Sequence, residues 1–313
     1  MKKPFNIQNN IPLAPYTTYK IGGPAQFFVR VASLEELSLA IRWAKAEGLS
    51  LRFLGGGSNL LISDRGVNGL VITLAAHEPN FLESGVKVGA GYGLSKLVND
   101  SVKQGLQGLE WAAGIPGQVG GAVRGNAGAF GGWIANNITA VEVYNTQAER
   151  LEVFKKEDCH FDYRDSIFKR RPELLIWSAT FSLTSADRES LEKIAKEHRH
   201  YRREHHPTLP SAGCVFKNVP VNEVMGRAPE LWSAAQLARA VSGQEVAAGF
   251  IIAQAGLAGY AVGPVQVSTQ HSNFLVNRGG ATAQEVHQLI SYIQETIKRV
   301  YHLELVPELA FWE

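Results

Sequence analysis

One stretch of the chain is unusually rich in glycine, and it limits the backbone more than any other feature. Residues 114–132 read GIPGQVGGAVRGNAGAFGG and contain eight glycines, where average composition, at about 7% glycine, would place one or two. Glycine lets the backbone approach a ligand closely and direct N–H groups at phosphate oxygens, because it lacks a Cβ and adopts positive φ at little cost. Flexible linkers are padded with serine, but here the spacers are mostly apolar. The stretch therefore predicts a phosphate-binding segment, with a linker as the alternative.

A second glycine loop follows a predicted strand. Residues 49–54, which read LSLRFL, run directly into GGGSN at 55–59. A helix over 34–47 is predicted before this strand, because a Ser-x-x-Glu capping box precedes apolar residues at helical spacing and a glycine follows them. Strands are predicted at 60–63 and 69–74. This order indicates a β-α-β unit whose glycine loop faces the same ligand as the longer glycine stretch.

The remaining chain alternates between predicted strands and helices. Apolar patterns predict strands at 86–90, 138–144, 150–154 and 174–183. Helical spacing predicts helices at 94–104, 187–204, about 230–240 and 282–300, followed by a terminal strand that carries Glu308. Pro207 and Pro210 follow a highly charged helix, so we expect a domain boundary near residue 205.

Composition places the chain among ordinary globular proteins. Its 313 residues suffice for two or three lobes, and a net charge of +2 does not predict nucleic-acid binding. Cys159 and Cys214 are the only cysteines, far apart and without a CxxC pair, which favours a reducing, cytoplasmic setting. The N-terminal MKKPFNIQNN has no apolar core, so no secretory signal is expected. Residues 246–277 lack Asp, Glu, Lys and Arg, but their glycines and glutamines favour a buried helix, a turn and a strand over a membrane span.

Several common phosphate and metal signatures are missing from the sequence. Neither GxGxxG after a strand, nor GxxxxGK[ST], nor HExxH occurs. The close histidine pairs His198/His200 and His205/His206 lie within or beside the charged helix and are interpreted as solvated or anion-facing, so no metal site is predicted. A phosphate-bearing ligand held by two glycine loops is what remains.

Seven stretches together resemble one enzyme family. They occur in that family's order over nearly the whole chain: TTYKIGGPAQFFV (17–29), LGGGSNLLI (54–62), GLEWAAGIPGQVGGAVRGNAGAFGG (108–132), YRDSIF (163–168), PSAGCVFKN (210–218), QVSTQHSNFLVN (266–277) and LVPELAF (305–311). The chain is similar to the UDP-N-acetylenolpyruvoylglucosamine reductases, flavoenzymes of bacterial cell-wall synthesis, and most similar to their shorter subtype.

The resemblance implies an α+β fold with a bound FAD. It implies a two-lobed FAD-binding domain of the type shared with vanillyl-alcohol oxidase and p-cresol methylhydroxylase, followed by an α+β substrate-binding domain. The corresponding boundaries are 1–74, joined by a C-terminal strand at 303–313, for the first lobe, 75–204 for the second, and 205–302 for the substrate-binding domain. The residues that would hold the FAD, mainly through backbone N–H groups at its pyrophosphate, are Gly55, Gly56, Gly57, Ser58, Asn59, Gly114, Ile115, Pro116, Gly117, Val119, Gly120, Gly121, Asn126 and Gly128.

The resemblance also implies the reaction. NADPH reduces FAD and leaves, and the reduced flavin then reduces the enolpyruvyl double bond of UDP-N-acetylglucosamine enolpyruvate to give UDP-N-acetylmuramate. Arg164 and Glu308 fall where the family polarises the substrate carboxyl and assists the enolate. Cys214 occupies the proton-donor position, where the family usually has serine; a thiol remains mostly protonated at neutral pH and is acidic enough to donate. The expected substrate contacts are Tyr163, Arg202, Lys217 and Asn218.

Two features leave alternatives open. The stretch 219–245 is about twenty residues longer than the shorter subtype usually has, and is expected to form a lid or an added surface. The glycine loops alone would also suit a related FAD oxidase or dehydrogenase that acts on an alcohol or lactone. A protein that binds flavin or a UDP-sugar without catalysis is the third alternative, because of the cysteine at the proton-donor position.

Overall fold

The computed structural model describes residues 3–4 and 6–313, so the N-terminal segment expected to lack a secretory signal lies partly outside the described residues. In chain order, its strands are β1 (Gln8–Pro12), β2 (Pro24–Val31), β3 (Leu51–Phe53), β4 (Leu60–Ile62), β5 (Val67–Leu74), β6 (Asn80–Leu82), β7 (Gly85–Gly89), β8 (Leu106–Gln107), β9 (Gly128–Ala129), β10 (Gly132–Trp133), β11 (Ile138–Asn145), β12 (Arg150–Lys155), β13 (Leu174–Ser182), β14 (Thr184–Ser185), β15 (Val219–Pro220), β16 (Val241–Ser242), β17 (Glu245–Val246), β18 (Ala261–Val262), β19 (Val265–Val267), β20 (Leu275–Asn277) and β21 (Ala310–Trp312). The α-helices are α1 (Leu34–Ala46), α2 (Leu94–Lys103), α3 (Val119–Arg124), α4 (Ile134–Asn137), α5 (Ile167–Arg170), α6 (Arg188–His205), α7 (Val221–Arg227), α8 (Pro229–Leu237), α9 (Ala248–Gln254) and α10 (Ala283–Tyr301).

The chain divides into two compact units. The first comprises 25–56, 68–204 and the described residues up to 11, and the second comprises 12–24, 57–67 and 205–313. The chain therefore leaves the first unit twice before residue 68. The glycine loop at 55–59 contains one of these crossing points, between Gly56 and Gly57.

In the first unit, helix α1 packs on a four-stranded sheet with strand order β1-β2-β5-β3. The hydroxyl of Ser33 accepts a hydrogen bond from the Glu36 N–H, which caps the helix as the sequence predicts. Leu37, Ile41 and Ala44 are fully buried on one face. Strand β3 runs parallel to β5, and the predicted helix, strand and glycine loop follow one another in the expected order.

A five-stranded antiparallel sheet forms the rest of this unit, with strand order β12-β11-β13-β7-β6. The strands predicted at 138–144, 150–154 and 174–183 are confirmed to within two residues. Helices α2 and α3 contribute to the core that covers the sheet. Helix α3 lies inside the glycine-rich stretch, because Val119, Ala122 and Val123 recur at helical spacing and are buried.

The second unit is organised around helix α10. Thr282 and Glu285 form a reciprocal capping box at its N-terminus. The predicted apolar face is buried in the core at Val286, Leu289, Ile290, Ile293 and Ile297, whereas Val300, also predicted for this face, is exposed. The uncharged stretch 246–277 folds into α9 and the antiparallel sheet β18-β19-β20. Across the described ranges, no helix combines the length and apolar character needed to cross a bilayer.

Two expectations for the second unit need correction or completion. The terminal strand does not carry Glu308: β21 begins at Ala310, where the chain pairs in parallel with β4, and Glu308 precedes it. The long stretch 219–245 forms α7, α8 and three two-residue strands. Its buried residues Val224, Leu231 and Ala235 belong to the core of the unit, so this stretch is packed down over part of its length.

Candidate active site

The two glycine loops touch each other in the first unit. A Cβ on Gly56 would lie 2.6 Å from the Cα of Gly117, a distance that Cβ atoms do not reach, so glycine is required at position 56. Gly117 itself has φ of +110°, in the region that favours glycine. The expectation that both loops face one ligand is supported by this contact.

Several backbone N–H groups are unused at this contact. Among residues 3–4 and 6–313, no acceptor bonds the N–H of Gly55, Gly56, Gly117, Gln118 or Gly121. A Cβ on Gly55 would lie 4.0 Å from the Gly121 nitrogen, so these donors lie close together. Clustered, unpaired N–H groups are what a pyrophosphate needs, and the residues present therefore fit the FAD that the sequence predicts.

Other N–H donors in the glycine-rich stretch already have backbone acceptors. The N–H groups of Ile115, Val119 and Gly120 donate to the carbonyls of Ala112, Tyr92 and Ala90, at 3.0, 2.9 and 2.9 Å. These bonds attach the loop to its own unit. Each of these three N–H groups already has a backbone acceptor, so the expected contact of Ile115, Val119 and Gly120 with FAD stays a prediction and does not rest on their N–H groups.

The Asn126 side chain connects two loops of the first unit. Its amide nitrogen donates to the Asp162 carbonyl at 2.9 Å, and its oxygen accepts from the Ala135 N–H at 3.0 Å. Asn126 is almost completely buried and has φ of +41°. Its side chain therefore orders the turn that carries Arg164, a role the sequence did not indicate.

The Arg164 side chain contacts the C-terminal part of the glycine-rich stretch. Its Nη2 donates to the Gly128 carbonyl at 2.9 Å, and its guanidinium carbon lies 5.4 Å from the ring centre of Trp133 and 5.5 Å from that of Tyr163. Trp133 in turn packs on Gly128, where a Cβ would lie 2.1 Å from the ring. A cavity of about 330 Å³ lies beside this cluster, lined by Asn126, Trp133, Ala135, Asn136, Lys156 and Tyr163.

Arg202, on α6, lies against the beginning of the glycine-rich stretch. Its Nε donates to the Ala113 carbonyl at 3.1 Å, and its Cδ would lie 3.1 Å from a Cβ on Gly114, whose φ is +80°. The guanidinium also lies over the exposed ring of Phe130, at 5.3 Å. Arg202 is thus held in the first unit, beside the exposed residues Gly114 and Pro116.

The rest of the first glycine loop belongs to the second unit. Gly57 has φ of +60°, and a Cβ there would lie 2.3 Å from the Tyr16 carbonyl oxygen. Ser58 lies close to Gly213, at 4.0 Å between the Ser58 oxygen and a Cβ built on Gly213. Asn59 donates from its side chain to the Glu308 carbonyl at 3.1 Å, and its own carbonyl accepts from Ala310. Asn59 therefore fixes the segment that carries Glu308.

Cys214 and Glu308 lie on neighbouring segments of the second unit. The Glu308 N–H donates to the Val215 carbonyl at 2.7 Å, and Phe216 pairs with Pro307. On its other side, Cys214 pairs with Phe274. Cys214 and Glu308 are both half-buried, so the thiol and the carboxyl are carried by adjacent extended segments. Arg164 belongs to the first unit.

Asn273 fixes the backbone after Cys214, and sequence reasoning did not select it. Its side-chain oxygen accepts from the Phe216 N–H at 2.9 Å and its nitrogen donates to the Phe216 carbonyl at 2.8 Å, in a site where Asn273 is only 2% exposed. A buried amide that bonds both sides of one residue mimics a strand partner. Its position inside the matched stretch 266–277 was the only available signal.

Lys217 and Asn218 follow in the same segment. The Lys217 N–H donates to the Val306 carbonyl at 2.9 Å. The Asn218 side chain accepts from the Ala248 N–H at 3.2 Å, at the start of α9. Asn218 therefore has a structural contact in addition to the substrate role expected for it.

Two histidine rings surround Phe274, the pairing partner of Cys214. The rings of His206 and His271 lie 5.0 and 4.8 Å from that of Phe274. Burial lowers the pKa of His271, and the nearby His205 lowers it further. The imidazole of His271, beside the Cys214 segment, is therefore neutral at physiological pH.

Comparisons with known proteins agree over nearly the whole chain. Residues 205–312 match the C-terminal domain of UDP-N-acetylenolpyruvoylglucosamine reductase, and residues 25–153 match a FAD binding domain. Curated proteins of the reductase name from Acaryochloris marina and Halalkalibacterium halodurans are 36% and 37% identical over 309 and 306 residues; each alignment covers 97% of this chain, and 92% and 93% of the relatives.

A solved structure gives the same result. The crystal structure of UDP-N-acetylenolpyruvylglucosamine reductase from Thermus caldophilus superposes with a TM-score of 0.78 at 34% identity, over 98% of this chain and 99% of that one. The predicted fold class, α+β with a FAD-binding domain followed by the C-terminal domain, is confirmed. The protein belongs to the UDP-N-acetylenolpyruvoylglucosamine reductase family.

Proposed function

We propose that this enzyme reduces UDP-N-acetylglucosamine enolpyruvate to UDP-N-acetylmuramate, with FAD as cofactor and NADPH as the source of electrons. The structural observation that supports the proposal is the pairing of the Cys214 and Glu308 segments, because their backbones lie side by side. Family membership over nearly the full chain supports the same reaction. When bound, FAD would supply the hydride chemistry that carries electrons from NADPH to the enolpyruvyl double bond.

Arg164 binds the carboxylate of the enolpyruvyl group in this proposal. Hydride addition to an enoic acid moves electron density onto that carboxylate, and a guanidinium stabilises the developing charge. The Gly128 carbonyl and the rings of Trp133 and Tyr163 hold the guanidinium in place. The role assigned to Glu308, on the segment paired with that of Cys214, is to assist the enolate.

Cys214 donates the proton that completes the reduction. An unperturbed thiol, with a pKa of about 8.5, is mostly protonated at neutral pH and is a much stronger acid than the usual serine hydroxyl. The Phe274 pairing on one side and the Val215–Glu308 hydrogen bond on the other fix the backbone at this position. The thiol is thus supplied by an ordered segment, as general acid catalysis requires.

The binding residues and domain boundaries follow from the same proposal. The unpaired N–H groups of Gly55, Gly56, Gly117 and Gly121 donate to the FAD pyrophosphate, and Tyr163, Arg202, Lys217 and Asn218 contact the substrate. The FAD-binding lobes comprise 1–74 with 303–313, and 75–204, and the substrate-binding domain comprises 205–302. The product is a peptidoglycan precursor, so we further propose that the enzyme works in the cytoplasm, where it serves cell-wall synthesis, cell shape and division.

An assay of turnover tests the proposal against its two alternatives. The purified yellow protein is given NADPH and UDP-N-acetylglucosamine enolpyruvate without oxygen, and the product is analysed by mass spectrometry. The reductase consumes one NADPH per product, which is two hydrogens heavier than the substrate. Turnover of an alcohol or lactone in a parallel assay with oxygen would favour the related oxidase. A failure to consume any NADPH would favour a binding protein.

A further inference from the structure

The turn that carries Arg164 has an uncommon backbone. Arg164 has φ of +52°, in the left-handed region that residues other than glycine rarely adopt. Asp162 and Asp165 close the turn with two backbone hydrogen bonds of 3.1 Å each, and Asn126 holds the Asp162 carbonyl. The position of the Arg164 Cα is therefore fixed. The orientation of the guanidinium then depends on the residues that pack along the side chain.

Trp133 is the residue that couples the side chain of Arg164 to the glycine-rich stretch. Its ring lies over the guanidinium, packs on Gly128 and meets the edge of Tyr163 at 5.9 Å with a 76° angle between the rings. The Gly128 carbonyl is also the acceptor for Arg164 Nη2. One indole therefore contacts both the cation and the residue that the cation bonds.

The position of Trp133 is itself fixed. The backbone N–H of Trp133 donates to the Asn136 side-chain oxygen at 2.7 Å, and the next residue, Ile134, is fully buried. Gly132, just before it, leaves no room for a Cβ because the Trp111 ring lies 2.3 Å from that point. The backbone that carries the indole is thus fixed within the first unit.

We propose that Trp133 is a positioning residue for Arg164, whose indole face holds the guanidinium against the Gly128 carbonyl in the orientation that binds the substrate carboxylate. A guanidinium over an indole face is attracted by the ring quadrupole and loses little hydrogen-bonding capacity, because its N–H groups point outward in the plane. The inference rests on the proposed function, in which Arg164 binds that carboxylate.

The test compares three substitutions in the FAD-loaded full-length enzyme. Trp133→Leu removes the π face, Trp133→Phe restores one, and Trp177→Leu is the matched control, since Trp177 is a half-buried tryptophan of the same unit whose ring lies near His77. For each protein, FAD content, melting temperature, the Kd of UDP-N-acetylglucosamine enolpyruvate by calorimetry, and the rates of flavin bleaching by NADPH and recolouring by substrate are measured.

We expect Trp133→Leu to weaken substrate affinity or slow recolouring by about tenfold, with bleaching by NADPH within about twofold of the parent rate. Trp133→Phe should return most of the loss, and Trp177→Leu should cause none. In an Arg164→Ala background, Trp133→Leu should have no further effect, because the residue acts through Arg164. Trp133→Met serves if leucine prevents folding, since it fills more of the space without a ring face.

The inference is overturned if Trp133→Leu both binds substrate and recolours like the parent, if its tenfold effect persists in the Arg164→Ala background, or if both half-reactions slow equally. An Arg164→Ala enzyme that binds substrate and recolours normally would instead refute the proposed role of Arg164, and with it the inference. A large effect of Arg164→Ala beside a neutral Trp133→Leu would refute the inference alone.

Discussion

The backbone N–H of Glu308 donates a 2.7 Å hydrogen bond to the carbonyl of Val215, the residue that follows Cys214. This bond joins two segments that are more than ninety residues apart in the chain. Asn59 holds the Glu308 carbonyl from a third segment. The proposed proton donor and the proposed carboxyl therefore have backbones fixed by one small hydrogen-bond network within the second unit.

Substitution of Cys214 should separate the two half-reactions. In Cys214→Ala, flavin bleaching by NADPH should be unchanged, because no proton donor is needed, whereas recolouring by substrate should slow by about 10². Cys214→Ser, which carries the family's usual residue, should retain most of the rate. Cys159→Ala is the control, since Cys159 is the other cysteine. Rapid-mixing absorbance of the flavin gives both rates; equal slowing of both in Cys214→Ala would count against the assignment.

The thiol of Cys159 should react slowly in the native protein. Burial, together with the nearby carboxylates of Asp158 and Glu157, raises the pKa of Cys159 to about 12, so its reactive thiolate is scarce at pH 8 and remains so at pH 9. A raised pKa means less thiolate at any given pH. Native Cys214→Ala protein should therefore react very slowly with a disulfide reagent and take up one equivalent after denaturation. Fast labelling of that native variant would contradict the burial of Cys159.

The contact between the glycine loops should be necessary for FAD binding. Gly56→Ala would place a Cβ 2.6 Å from the Gly117 Cα, so one loop must move, and we expect FAD affinity to fall at least tenfold. Gly226→Ala is the control, because Gly226 lies in helix α7 and a Cβ there would meet nothing within 4 Å. This substitution should raise the stability of the protein slightly. Fluorescence titration of the apoprotein with FAD measures both. Unchanged affinity in Gly56→Ala would show that the loops do not hold the cofactor.

Loss of the Asn273 side chain should destabilise the second unit. Asn273→Ala leaves the N–H and carbonyl of Phe216 without their buried partner, at a cost of about 2–4 kcal/mol in the free energy of unfolding. Asn68→Ala, at an exposed position, should change it by less than about 0.5 kcal/mol. Denaturant unfolding followed by circular dichroism compares the two; similar values would mean that the Phe216 segment is held by other contacts.

Local patterns predicted most of the regular structure. The Ser33–Glu36 cap, the apolar face of α10 and the alternation around β11 to β13 all act over a few residues, so the sequence displays them directly. The helix inside the glycine-rich stretch was missed because glycine lowers helix propensity, and only the burial of Val119 and Val123 reveals why it forms.

The candidate site was only partly predictable for a different reason. Glycine loops and a family motif identify Gly56, Arg164, Cys214 and Glu308, but what holds these residues depends on long-range contacts. The Asn273–Phe216 and Asn126–Asp162 bonds span 57 and 36 residues. Which N–H groups remain unpaired for a phosphate likewise depends on the turn after β7, whose Ala90 and Tyr92 carbonyls accept from Gly120 and Val119, and no spacing in the sequence encodes it.

Anaerobic double-mixing stopped flow tests the central claim most directly. The purified holoenzyme is first mixed with one equivalent of NADPH, and the flavin absorbance is followed until it bleaches; UDP-N-acetylglucosamine enolpyruvate is then added. The proposed function predicts full recolouring on this second mixing, with one equivalent of UDP-N-acetylmuramate formed. Flavin that stays bleached until oxygen is admitted, or that never bleaches with NADPH, would contradict it.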